Sequence, residues 1–124
     1  MAGTTDLNVL HPRPGAAVIE CVGEHDITSK DQFASLQSEL VVENELVVVD
    51  VSDAEFIDSS FVSNLFKGDR LARQHGSRLR LQHRTEVIVL RALEVSGALA
   101  RLDGVSTREE ALAPVGGNSP GDEL

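Results

Sequence analysis

Tryptophan and tyrosine are absent from this 124-residue chain, four phenylalanines supply its whole 3% aromatic content, and cysteine and methionine occur once each. An interior with so few rings must be built from Val, Leu, Ile and Ala, which favours an aliphatic sheet packed under helices. The lone Cys21 excludes a disulfide framework within the chain, and its apolar, strand-like surroundings give a buried, inert thiol. Basic residues are also scarce. Eleven Lys and Arg against twenty Asp and Glu leave a net charge of -9, which repels nucleic-acid phosphates and anionic lipid headgroups. No run approaches the roughly 18 apolar residues that span a bilayer, and the N-terminus carries neither the basic region nor the apolar block of a secretory signal. The expectation is a cytoplasmic protein with no nucleic-acid or membrane partner.

The signatures of catalysis are missing as well. There is no P-loop, no Gly-x-Gly-x-x-Gly and no glycine-flanked nucleophile elbow. His11, His25, His75 and His83 are scattered without i, i+4 pairing or cysteine company, so neither a metal site nor a cofactor is expected, and all four read as solvated loop residues.

At this length one domain can bury roughly two-thirds of its unfolded surface without disulfides or metal. Residues 1–6 read as a flexible start, 7–113 as the folded domain and 114–124, rich in Gly, Pro and Ser, as a disordered tail. Within the domain, Leu7–Leu10 is a candidate edge strand and Ala17–Val22 a second strand. Thr28 is placed to cap a helix whose stripe Phe33, Leu36, Leu40 and Val41 opposes Lys30, Gln37 and Ser38. The run Leu46-Val47-Val48-Val49-Asp50-Val51 is apolar on both alternating faces, which is the pattern of a strand buried on both sides.

Ile57-Asp58-Ser59-Ser60 then offers capping side chains where the next helix, about Ser59 to His75, must begin. Arg78–Gln82 alternates as a short strand, and a third helix covers about Thr85 to Val95. Leu102–Val105 is a last strand, and Thr107 with Glu110 forms a capping box for a brief final helix. Strands alternating with helices predict an α/β fold, a small mixed sheet of four to five strands covered by helices. Arg70, Arg73, Arg78, Arg80 and Arg84 read as a solvated basic segment on a helix face and an exposed strand edge.

Asp58, Ser59 and Ser60 admit two readings. One is plain helix capping. The other is a phosphoacceptor at a helix start, where modification adds nearly two negative charges to a partner-facing surface. Asp50 and Asp58 are likewise open to two readings: loop and capping residues, or a pair of carboxylates above the sheet edge in a small phosphotransfer enzyme. A nucleophilic-aspartate phosphatase needs a second Asp two positions after the first, and Ser52 stands there.

Over residues 7–113 the chain resembles the STAS domain of bacterial anti-sigma-factor antagonists. The residues that carry the likeness are Val18–Val22 leading into Gly23-Glu24-His25-Asp26-Ile27, then Val47-Val48-Val49-Asp50-Val51-Ser52, and above all Phe56-Ile57-Asp58-Ser59-Ser60. Gly76, Leu79-x-Leu81 and Leu90-x-x-Leu93 through Gly97 follow in the family's order. The resemblance implies a sheet with helices on one side and a non-enzymatic binding module. Its partner would be an anti-sigma factor with a serine-kinase (GHKL-type) fold, with a PP2C-type phosphatase to reset the switch. It maps phosphorylation onto Ser59, with Ser60 as second choice, and the partner surface onto Asp26, Asp58, Ser59, Ser60, Phe61, Val62 and Asn64. The same fold also serves as an interaction subunit of a stress-signalling complex or transporter without phospho-switching. One departure stands out: Phe61 occupies the position where family members usually have Gly.

Overall fold

A computed structural model describes residues 5–25, 30–84 and 87–114. Strands β1 (Thr5–Arg13) and β2 (Ala16–His25) form an antiparallel hairpin, and Gly15 takes the left-handed turn position at φ +82°. β1 is longer than the Leu7–Leu10 segment expected and already includes Thr5 and Asp6. It tolerates Pro12 because it lies at the sheet edge, where a missing N–H interrupts no second ladder, and the register shifts between Leu10 and Arg13.

Helix α1 (Lys30–Glu43) returns the chain to β3 (Leu46–Asp50), whose five residues are all buried. β4 (Ala54–Ile57) leads into α2 (Ser59–Gln74), and β5 (Arg78–Gln82) follows. α3 (Val87–Val95), α4 (Ala98–Arg101), β6 (Asp103–Val105) and α5 (Arg108–Ala111) complete the described chain. The main path of the sheet runs β1-β2-β3-β5-β6, parallel from β2 onward, and β4 pairs in parallel with the far end of β2. Six strands thus stand where four to five were predicted. β4 escapes sequence reading because only Ala54 and Ile57 turn inward while Glu55 and Phe56 are exposed, a pattern without the alternation that marks a strand.

The sheet buries both faces, and it does so unequally. Ala17, Ile19, Cys21, Val47, Val49, Leu79 and Leu81 face α1 to α4 and join Phe33, Phe61, Leu65 and Leu93 in the main core. Burial pushes the Cys21 thiol pKa well up, with nearby Asp50 adding to the shift, and this keeps the sulfur protonated. On the reverse face, among the described residues, Ala16, Val18, Leu46 and Val48 form a smaller apolar cluster with Ala111, with Val105 and Leu112 at its margin. Helices therefore do not cover one side alone: α5 covers part of the other.

α5 is a single turn, too short to hold itself together in water. Its Thr107 cap accepts from the Glu110 N–H at 3.1 Å, as the capping box predicts. Its other end is held by Arg80, whose Nη1 donates to the carbonyls of Glu110, Ala111 and Ala113 at 3.3, 3.1 and 2.9 Å while Nε binds Asp103 at 2.9 Å. Arg80 is consequently buried, and its place in a solvated basic segment is corrected. The carbonyls at the end of a helix have no helical partners, and a guanidinium supplies several donors at once. Arg108 completes the attachment through Asp50 (2.6 Å), Glu20 (3.1 Å) and Gln82 (2.7 Å). Partial burial pulls the Arg108 pKa down, but the bonds to Asp50 and Glu20 outweigh it and raise the pKa above its ordinary value.

Candidate functional site

The entrance to α2 is built from β4 outward. Pairing Glu24 with Phe56 and His25 with Ile57 brings the chain alongside β2, and the His25 carbonyl accepts the Asp58 N–H at 3.1 Å. Asp58 is extended at φ -109°, ψ -176°, as an N-cap residue must be, and its Oδ1 accepts from Phe61 N at 3.0 Å and from Ser60 Oγ at 2.6 Å. Ser60 is therefore committed to the cap. Ser59, the first helical residue, is exposed, and its hydroxyl bonds to none of the described residues.

Phe61 settles a question that the sequence leaves open. It is 2% exposed, stacked on Phe33 with ring centroids 4.4 Å apart and tilted against His25 at 5.6 Å. The ring fills the core beneath the helix entrance and leaves the Ser59 hydroxyl uncovered. Val62 and Asn64 are buried too. Asn64 Nδ2 donates to the Lys30 carbonyl at 3.1 Å and its own carbonyl accepts from Gln37 Nε2 at 2.9 Å, tying α1 to α2. Burial withdraws the side chains of Phe61, Val62 and Asn64 from the surface on which a partner was expected to meet them, because packing α2 on α1 uses that side of the helix. Gln37 likewise moves from the solvated face to the interface. There Gly68 admits it: a Cβ at that position would come within 2.4 Å of Gln37 Oε1.

His25, expected in a solvated loop, is fully buried, with Nε2 3.0 Å from the Val22 carbonyl. Asp26 and the Thr28 cap lie outside the described residues. Asp50 and Asp58 each have hydrogen-bond partners of their own. Asp50 is engaged by Arg108 and by Ser52 N (2.8 Å), and Asp58 by Ser60 and Phe61. Among the described residues no group of three or more His, Cys, Asp or Glu side chains could hold a metal ion, and no helix is long and apolar enough to cross a membrane.

Two neighbours of the site lie outside the partner surface that the resemblance implies. Phe56 is 41% exposed just before the cap, and Ser63 is exposed one turn after Ser59. The signal for Ser63 was available, since it lies at i+4 from Ser59 on the helix. Phe56 could be found only through β4.

Comparison with known proteins agrees with this fold. The family model described as "Mlab, STAS domain" matches residues 11–106. No curated protein matches the chain. Among solved structures, the anti-sigma factor antagonist SpoIIAA in its unphosphorylated form superposes with a TM-score of 0.73 at 20% identity, over 86% of this chain and 92% of its own. An anti-sigma factor antagonist from Mycobacterium paratuberculosis gives 0.77 at 18% identity over 88% and 92%. The Bacillus cell fate determinant SpoIIAA in its phosphorylated form gives 0.67 at 19% over 86% and 96%. At these identities the likeness is one of fold.

Proposed function

Because the chain belongs to the STAS-domain family, we propose that it is an anti-sigma-factor antagonist: a non-enzymatic cytoplasmic module that captures an anti-sigma factor of GHKL kinase fold. Its docking surface is the entrance to α2, and phosphorylation of Ser59 switches it off. A PP2C-type phosphatase would restore the binding form. The observation that carries this reading is the division of labour between the two serines. Ser60 donates to Asp58 and maintains the cap, whereas Ser59 projects an uncommitted, exposed hydroxyl from the first turn. A phosphate there adds nearly two negative charges without breaking the cap, so the helix persists and the effect falls on whatever docks against it. Desolvating that charge in a contact costs more than the few kcal/mol that separate a bound from a free partner.

The test is incubation with candidate anti-sigma kinases of the same genome, ATP and magnesium, with the label located by mass spectrometry. Label on Ser59, lost in Ser59→Ala and kept in Ser60→Ala, is the expected result, and Ser59→Asp should weaken kinase binding at least about tenfold. Unchanged affinity of Ser59→Asp would sink the charge mechanism.

One observation favours a second reading. Phe61, buried against Phe33, departs from the small residue usual at this position of the switched antagonists, immediately beside the two serines. An interaction subunit of a stress-signalling complex or transporter, without phospho-switching, would give stable binding and no label.

A further inference from the structure

The exposed side of α2 continues well beyond Ser59. Ser59, Ser63, Phe66, Arg70 and Arg73 recur at intervals of four and three residues, so they form one stripe along the helix. At its far end Phe66, Asp69, Arg70, Arg73 and Arg101 line a cleft of about 340 Å³. The Arg101 guanidinium of α4 lies over the Phe66 ring at 4.5 Å from its centroid, which holds the planar group in place. Arg73 Nε is 3.1 Å from Asp69, and Arg70 is exposed. Three of the chain's eleven basic side chains thus gather in one cleft of a protein with net charge -9, with a single carboxylate among them.

We propose that this cleft receives an Asp/Glu-rich segment of the protein that docks on α2, so that the contact has two ends. At the serine end added negative charge repels, and at the arginine end it attracts. The inference rests on the reading of α2 as the docking helix. Guanidinium forks suit carboxylates in pairs. Complementary charge of this kind contributes chiefly to encounter rate and specificity. Arg70 follows Ser59 by eleven residues, about 16 Å along the helix. That exceeds the Debye length of about 8 Å at physiological salt, so a phosphate on Ser59 leaves the arginine end charged and available.

A fluorescein-labelled hexaglutamate peptide, titrated without any kinase, tests the cleft separately from the serine. Anisotropy should report binding that weakens as NaCl rises from about 50 to about 300 mM, and NMR shifts should fall on the Arg70, Arg73 and Arg101 Nε–H groups and the Phe66 ring. The Arg70→Glu, Arg101→Glu double variant should lose about tenfold or more. Exposed Arg84→Glu should lose little, and Ser59→Asp should bind the peptide as the unchanged protein does. Shifts elsewhere, an equal loss in Arg84→Glu, or displacement by inorganic phosphate at equal charge would overturn the proposal. So would binding to phosphatidylglycerol vesicles that disappears in the double variant, which would make the cleft a membrane contact. A kinase that never labels Ser59 would defeat the switch while leaving the peptide result standing, so the two failures are distinguishable.

Discussion

The two faces of the central sheet are closed by different physics. The face toward α1 to α4 is sealed chiefly by aliphatic area and two stacked phenylalanines. The reverse face is closed by a one-turn helix held through Arg80 and Arg108, aided by Arg13, whose Nη1 donates to the Leu112 carbonyl at 2.6 Å. Area-based burial degrades gradually as atoms are removed, whereas a few multi-donor side chains fail one at a time. The comparison also explains where the candidate site lies. α2 is fixed by the thick layer, so its exposed face can change charge without loosening the fold.

The largest effect should come from breaking the thick layer at the helix entrance. Phe61→Ala removes a ring that is 2% exposed and stacked on Phe33, and should cost about 3–5 kcal/mol in urea unfolding. If the cost is below 1 kcal/mol, the ring is not the anchor of the α2 entrance, and the contrast between the faces fails. Next comes the thin layer. Arg80→Leu leaves the carbonyls of Glu110, Ala111 and Ala113 without their shared donor and should cost about 1.5–3 kcal/mol. Hydrogen exchange sharpens the distinction: α5 amides should lose protection in this variant while those of α2 keep theirs. Equal loss in both helices would mean that the two layers unfold as one unit.

Most of the thick layer was legible in the sequence, and most of the thin layer was not. The Leu46–Asp50 strand, the start of α2 at Ser59, the Arg78–Gln82 strand and the Thr107–Glu110 capping box follow from local period and cap chemistry, which short windows carry. Arg80 defeated that reading because an arginine alternating with leucines has the signature of a solvated face. Its partners lie about 30 residues downstream, beyond any local pattern. Gln37 escapes for a related reason, since the backbone carbonyl that accepts from it belongs to Asn64, 27 residues away, whereas buried His25 finds the Val22 carbonyl within its own strand. At the site, the positions of Asp58 and Ser59 were readable from capping rules and family likeness. The burial of Phe61 was not, since Phe61 and Val62 are adjacent apolar residues of α2 and the sequence does not say that both turn inward.

The smallest effect belongs to the exposed end of the thin layer. Glu110 accepts from the Thr107 hydroxyl at 3.1 Å and from Ser106 at 3.3 Å, and these bonds, Thr107 foremost, hold its pKa below the ordinary value of 4.5. A depressed carboxylate pKa means that folding favours the ionised form. The stabilisation is complete above the unfolded value and is lost as pH falls through the folded one. The loosening of α5 should therefore begin below about pH 4.5 and should be read as lower protection of the Glu110 and Ala111 amides relative to their intrinsic exchange at each pH, with the protection of α2 amides unmoved. Glu110→Gln should flatten this dependence, since a neutral amide has no charge to lose. A Glu110→Gln protein whose α5 still loses protection over the same acid range would show that Glu110 is not the acid-sensitive group of the thin layer.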